Sequence, residues 1–464
     1  MIPLNKSARL GVVAVVSALV LAACGGDDGD DNTSDGADQS TESASSDTSD
    51  TTSEPTEGGD SSEPAEASSG MQLYFVDGNT ANYSEDFDPG TLEGVKATYP
   101  GAELGDDFRQ RMLEANPKLK DFTYGPESYD ATIISALAAI AADDDSGKSI
   151  GANLQAVTAE GEKCTDFKTC ADLLADGTDI DYDGVSGPID LNSTGSPSAA
   201  TIGIFEYGND NNYSPLDFVT GQIPDVDSVQ PNQEIKGTAQ GDGEFVVGTL
   251  LPSSGDLAFL GPPEFAGVDV AIQEINENGG VLGKDARQVK ADSGDGTPNI
   301  APSETDKLLN GGADIVLGAA SSSVSLSVID KITKAGVVQI SPANTSTAFD
   351  TYADQGLYFR TAPSDVLQGQ VMASTVIGDG KQNIAILARQ DSYGEALAEN
   401  VRKFYEEAGG NVVSYQLYSP EAANYNAEVQ AIAAEDPDAI VLIAFDETKK
   451  IVPALAQAGL GQGD

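Results

Sequence analysis

The run Gly318-Ala319-Ala320-Ser321-Ser322-Ser323 ends an apolar stretch, ADIVLGA, and begins a helical one. The first N–H groups of a helix have no intrahelical partner and carry the positive end of the macrodipole, so such a turn favours an anion. Serine hydroxyls add donors, and a carboxylate is the anion that suits the set. Ser321 and Ser322 are equally well placed simply to cap the helix, and the residues alone leave both readings open. A second pattern, Asp179, Asp181, Asp183, Gly184 and Asp190, fits positions 1, 3, 5, 6 and 12 of a calcium loop. Position 8 is Ser186, however, and STGSPS cannot supply the exit helix, so a turn into GVSGPIDLN is the better reading and no metal is expected. The GLGQG at 459–463 is a helix C-cap turn, since no helix follows to receive a phosphate.

Much chemistry is excluded. The 464 residues contain no His, which removes Ser-His and Cys-His pairs, imidazole bases and His-ligated metals. There is no S-x-x-K and no G-x-S-x-G, so neither an enzyme nor a cofactor is expected. With 24 Lys plus Arg against 75 Asp plus Glu the formal net charge is −51, and no basic face exists for a nucleic acid. The absence of Trp and only 6% aromatic residues weigh against a sugar, which usually stacks on rings.

The charge has two locations. Lys6 and Arg9 precede the apolar run Leu10 to Ala23, which at 1.5 Å per residue rises about 21 Å, short of the roughly 30 Å hydrocarbon core. Residues 1–23 therefore read as a signal peptide. Its end, Leu21-Ala22-Ala23-Cys24, resembles the lipobox of bacterial lipoproteins, which implies a lipidated Cys24 and an extracytoplasmic protein held to its membrane. Residues 25–70 contain 14 acids and no Lys or Arg. With little apolar to bury, 24–70 is expected to be a solvated tether reaching about 40 Å. Residues 71–464 still carry 22 basic and 61 acidic residues. In an exported chain Cys164 and Cys170, in EKCTDFKTCADLL, are expected to form a local disulfide, because zinc would need two further ligands.

Positioning the serine turn requires a regular frame, and the chain from Glu244 onward supplies one. EFVVGTLLP, ADIVLGA, VVQISPA, NIAILARQ, NVVSYQLYS and DAIVLIAFD read as strands, alternating with helices such as PEFAGVDVAIQEINENGG and YGEALAENVRKFYEEAGG. Repeated βα units with continuous apolar strands imply parallel sheets covered on both faces. The alternation calls for another strand after Asp464, while folding at Met71 begins with a strand, MQLYFVDG, that no helix precedes. Residues 225–243, polar and turn-rich, read as a linker.

Residues 244–464 resemble the first half of a type I periplasmic binding protein of the branched-chain amino acid (Leu/Ile/Val) class. The resemblance lies in GTLLPSSGDLAFLGPPEFAGVDVAIQEINENGGVLGK, GAASSSVSLSVIDKITKAGVVQISPANTS, FRTAPSDVLQGQ and DSYGEALAENV. Residues 71–224 resemble the second half, through TLEGVKATYPG, YGPESYDATIISALAAIA and YDGVSGPIDLNSTGSPSAATIGIFEYG. The halves stand in inverted order, so a circular permutation is expected, with the new ends between Asp464 and Met71. The resemblance implies two discontinuous lobes: about 244–361 with 99–200, and 375–464 with 71–92 and 201–220. Crossovers near 92–100, 361–375 and 200 would form the hinge.

It also implies a site between the lobes. Ser322 and Thr345 match the family residues that hold a ligand α-carboxylate, beside Ala320 and Ser323, and Tyr393 matches a cleft tyrosine. An α-ammonium would need a carboxylate, for which Asp77 and Asp446 are the candidates. The sequence departs from the family near FVDGN, where Asn79 stands at the usual acidic position, and at Leu260, where some relatives carry an aromatic. The function implied is a lipid-anchored, monomeric receptor of an ABC importer, docking on permease and ATPase subunits and closing on an amino acid or a similar small amide. A sensory module of the same fold is the alternative.

Overall fold

The computed structural model describes residues 70–224, 241–296 and 299–464; the signal segment, Cys24, nearly all of the tether and most of the linker lie outside the described residues. The first part of the described chain forms β1 (Gln72–Phe75), β2 (Lys96–Pro100), α1 (Asp106–Ala115), α2 (Gly125–Ala142), α3 (Gly147–Asn153), β3 (Glu162–Cys164), α4 (Phe167–Ala175), β4 (Ile180–Tyr182), β5 (Ala199–Tyr207) and β6 (Tyr213–Gln222). The second part begins β7 (Val246–Leu251), α5 (Gly261–Glu277), β8 (Arg287–Asp292), α6 (Ala301–Asn310), β9 (Ile315–Gly318), α7 (Ser322–Lys334), β10 (Val338–Ser341) and β11 (Tyr358–Arg360). It continues with α8 (Asp365–Gly378), β12 (Asn383–Arg389), α9 (Ser392–Glu407), β13 (Asn411–Tyr418), α10 (Asn426–Ala433), β14 (Ala439–Ile443) and α11 (Thr448–Gln457).

Two large sheets result, one per lobe. Lobe 1 is built on a parallel five-stranded sheet in the order β11-β10-β9-β7-β8. Its inner strands β7 and β9 are continuous apolar runs, such as the wholly buried VVGTLL of β7, because helices cover both faces. The long α2 is buried over almost its whole length and packs on α5. That approach needs Gly267, since a Cβ there would meet Gly125 O at 2.0 Å. Gly267→Ala would force the two helices apart.

Lobe 2 has seven strands in the order β13-β12-β14-β1-β2-β5-β6. The neighbours from β13 to β2 are parallel, as the βα alternation implies. The end of the sheet departs from that pattern: β5 is antiparallel to both β2 and β6. The β5–β6 pairing is local, because the short GNDNN turn between them makes a hairpin and is too short for a parallel crossover.

Residues from the two ends of the described chain meet in lobe 2. Strand β1 lies between β14 and β2, Met71 N–H donates to Asp464 O at 2.8 Å, and Gly463 N–H donates to Met71 O at 2.8 Å. The chain passes between the sheets after β2, before β5 and between β11 and α8. The first passage therefore follows β2 and does not span 92–100, because KATYP pairs with both β1 and β5.

Cys164 and Cys170 are joined in a disulfide with a Cα–Cα distance of 5.4 Å, tying β3 to α4. No helix among the described residues is long and apolar enough to cross a membrane.

Candidate functional site

Parallel strands deliver their C-terminal ends to one edge of a sheet, and the turns that follow them face the gap between the lobes. From lobe 1, β9 delivers Ala320, Ser321 and Ser322, β10 delivers Ala343, and the segment after β7 delivers Leu257 and Leu260. Tyr124, which precedes α2 with φ 60°, completes that wall. From lobe 2, β1 delivers Asp77 and Gly78, the first turn of α9 delivers Tyr393, and β14 delivers Phe445. The walls meet so closely that the cavity is about 10 Å³, room for about one water.

The lobe 1 wall is a set of hydrogen-bond donors held from behind. Ser321 caps α7 without bonding its side chain to the helix, so the first-turn N–H groups remain available, and its own hydroxyl is buried without a partner. The carbonyls of Ala319 and Ala320 are occupied: Ser341 Oγ donates to Ala319 O at 2.8 Å, and Asn344 Nδ2 donates to Ala319 O at 3.0 Å and Ala320 O at 2.8 Å. The adjacent turn, Ala343 to Ser346, is fixed by Arg360, which is fully buried. Its Nη1 donates to Asn344 O at 3.2 Å and Ser346 O at 2.9 Å, Nε donates to Ser196 Oγ, and Nη2 pairs with Asp350. Thr345, within that turn, is buried with an unpartnered hydroxyl.

The lobe 2 wall centres on Asp77, 3% exposed. Its Oδ1 accepts from Tyr393 OH at 2.5 Å and Gln368 Nε2 at 3.0 Å, and its Oδ2 accepts from Tyr124 OH at 2.7 Å. Burial pushes its carboxyl above the usual aspartate value, and the donors from Tyr124, Tyr393, Gln368 and Gly78 N–H pull it back. The Tyr124 bond crosses from lobe 1 to lobe 2. Tyr393 is aimed by its helix cap, where Asp391 Oδ1 accepts from the N–H groups of Tyr393 and Gly394. Arg389 braces this wall: its guanidinium lies 3.3 Å from the centre of the Phe445 ring, while Nε donates to Asp391 and Nη1 to Glu447.

Six of the residues singled out from sequence therefore line the cavity: Ala320, Ser321, Ser322, Leu260, Asp77 and Tyr393. Thr345 is buried in the turn beside it. Ser323 is engaged across the gap, accepting from Ser392 N–H at 3.3 Å. Asn79 is turned back into the sheet, accepting from Val76 N–H and donating to Leu442 O. Asp446 points elsewhere, pairing with Lys449 at 2.6 Å with its side chain 40% exposed. Of the two carboxylate candidates for an ammonium partner, Asp77 alone lines the cavity. Tyr124, Phe445 and Leu257 were missed. Phe445 stands beside Asp446, where strand alternation could have found it; Tyr124 reaches the site through the fold alone.

No group of three or more Cys, Asp or Glu that could hold a metal exists among the described residues. In the Asp179–Asp190 region Lys163 bridges Asp181 at 2.9 Å and Asp183 at 3.0 Å.

Comparisons with known proteins point one way. A family model described as periplasmic binding protein matches residues 244–464. The Leu/Ile/Val-binding protein of Escherichia coli (strain K12) is 30% identical over 217 residues, covering 46% of this chain and 58% of that protein. The Leu/Ile/Val/Thr-binding protein of Salmonella typhimurium is 31% identical over 194 residues, covering 42% and 52%. Among solved structures, the branched-chain amino acid transporter substrate binding protein LivJ from Streptococcus pneumoniae, in complex with isoleucine, is 25% identical with a TM-score of 0.42, covering 47% of this chain and 62% of that one. The chain spans about half the length of the curated relatives it matches.

Proposed function

We propose that the chain, whose residues 244–464 match a periplasmic binding protein model and are similar to Leu/Ile/Val-binding proteins, is an extracytoplasmic solute receptor of an ABC importer. It closes two lobes on an amino acid or a similarly small zwitterion or amide. The observation that carries this reading is the pairing of opposite walls in one cavity. The start of α7, with the Ser321 hydroxyl and the neighbouring Thr345, suits a carboxylate, and Asp77 suits an ammonium or amide N–H. Leu257, Leu260, Tyr124 and Phe445 leave an apolar compartment for a side chain. A ligand larger than water enters only when the lobes part and the Tyr124–Asp77 bond opens.

The rest of the proposal concerns how the receptor is mounted. The position of β1 between β14 and β2, with Met71 bonded to Asp464, supports a circularly permuted version of the family fold. Each lobe then draws on both halves of the chain. Lipidation at Cys24 would hold the body to the membrane through the 24–70 tether, and a monomer would dock on the permease and ATPase subunits. On this reading the chain binds and releases its ligand.

A thermal-shift panel of amino acids, amides and short peptides tests the ligand class. A true ligand at a hundred times its Kd adds about 2.7 kcal/mol of stability. If no member raises the melting temperature, the amino-acid assignment fails. Mass spectrometry of the membrane-extracted protein tests the anchor, which fails if Cys24 is found without a lipid.

A further inference from the structure

One buried group beside the site has no part in the reading above. Asp365, the first residue of α8, is fully buried, and neither of its carboxyl oxygens has a hydrogen-bond partner. Its N–H donates to Thr345 O at 2.7 Å, so the two residues are neighbours. Thr345 Oγ1, like both Asp365 oxygens, is buried without a hydrogen-bond partner, and its hydroxyl is among the groups that act on the Asp365 carboxyl. One turn further along α8, Gln368 Nε2 donates to Asp77 Oδ1 at 3.0 Å and to Thr98 O at 3.1 Å. The first turn of a helix that begins at a crossing between the lobes thus touches the carboxylate wall with one residue and the carboxyl of the opposite wall with another.

We propose that Asp365 is a positioning residue of the ligand site: its carboxyl orients the Thr345 hydroxyl toward the ligand carboxylate and, with Gln368, links that subsite to Asp77. This rests on the ligand reading proposed above. The charged and titratable groups facing Asp365 are Asp77 after β1, Asp350 and Arg360 in lobe 1, and Tyr393 on α9. Burial, reinforced by the Asp77 charge, pushes the Asp365 carboxyl well above the usual aspartate value; Thr345 and Arg360 pull it back. With its proton in place, the carboxyl would donate to Thr345 Oγ1 and leave the threonine proton free for the ligand. Ionised, Asp365 would accept the threonine O–H as a hydrogen bond and put a second negative charge beside the anion subsite.

The test begins without ligand, on the full chain carrying carbon-13 at its aspartate carboxyls. The signal missing from D365N belongs to Asp365, and D365E makes the assignment if D365N fails to fold. It is expected to stay protonated at pH 7 and to shift its titration in T345V. Ionisation near the ordinary value of about 3.9, or no response to T345V, overturns the proposal. The second arm uses L-leucine as probe in calorimetry. Wild-type affinity is expected to fall as pH rises through that titration, D365A to bind about tenfold more weakly at pH 7, and D365N to recover to within about threefold with a flattened pH profile. A D365N profile matching wild type also overturns it. If L-leucine does not bind the wild type, the amino-acid reading is in difficulty, and the T345V titration still decides the role of Asp365.

Discussion

The two walls of the cleft are each braced from behind by a buried arginine, and the braces differ. Arg360 in lobe 1 is spent largely on backbone, holding the carbonyls of Asn344 and Ser346 so that a turn keeps its shape. Arg389 in lobe 2 is spent on side chains: it lies under the Phe445 ring and pairs with Asp391 and Glu447. The difference follows from what each wall presents. An anion subsite made of N–H groups depends on the path of the chain, so bracing it means fixing carbonyls. A wall made of a carboxylate and rings depends on rotamers, so bracing it means packing and pairing side chains. The same contrast holds for the exposed chemistry, with unpartnered hydroxyls at Ser321 and Thr345 on one side and a carboxylate bonded by three side chains on the other.

The largest effect expected from breaking this contrast is on stability. Arg360→Met leaves Asp350 and two carbonyls without their donor inside lobe 1, and removing one partner of a buried pair costs about 3–5 kcal/mol. Chemical denaturation should show that loss. An unchanged midpoint would mean the brace is not structural. Next is Asp77→Asn, which keeps the shape of the lobe 2 wall but removes its charge. It should weaken a zwitterionic ligand about 100-fold by calorimetry, as expected for a charged hydrogen bond worth 1.5–3 kcal/mol. Equal binding by both proteins would remove Asp77 from the site.

A smaller effect is expected with pH. Burial raises Glu127 on α2 and Asp314 before β9 to about 8, and Asp130 and Asp354 to about 6, all in lobe 1. A carboxyl raised in the folded state holds its proton after the unfolded chain has lost it. Stability is therefore greatest at low pH, within the range these groups tolerate, and declines as pH rises from the unfolded values of about 4 toward 8. The melting temperature should be higher at pH 6 than at pH 8, with the protection of α2 amides, corrected for the intrinsic base-catalysed exchange rate, lower at the higher pH. A rising melting temperature would contradict the sign. The smallest effect is Ser321→Ala. Its hydroxyl is buried and unpartnered, so its loss should leave the ligand-free protein as stable or slightly more so while weakening ligand binding up to about tenfold. Equal losses of stability and affinity would make Ser321 only a structural cap.

Much of this was legible before any coordinates. The apolar strands and their alternation with amphipathic helices specify parallel sheets; the serine turn and Asp77 could be named because turns after parallel strands face a cleft, whereas Leu260, Tyr393 and the role of Ser322 came through the family resemblance. Asn79 and Asp446 show the limit of that rule. Each stands within three residues of a cavity-lining residue, yet one is turned into the sheet and the other toward Lys449. The antiparallel β5–β6 end came from a turn length that composition does not advertise.

What the sequence determined by itself was local: which segments are strands, where α7 begins, that imidazole chemistry is absent, and that acids dominate. Tertiary structure decided which of those acids matter. Asp77 is an ordinary aspartate until Tyr124, 47 positions away, and Tyr393, 316 positions away, are folded against it. Asp365 is held beside Thr345 and Asp77 only because a crossing between lobes ends there. Burial and partnership set the behaviour of a carboxyl, and both are properties of what surrounds it in space, which residue spacing along the chain does not encode.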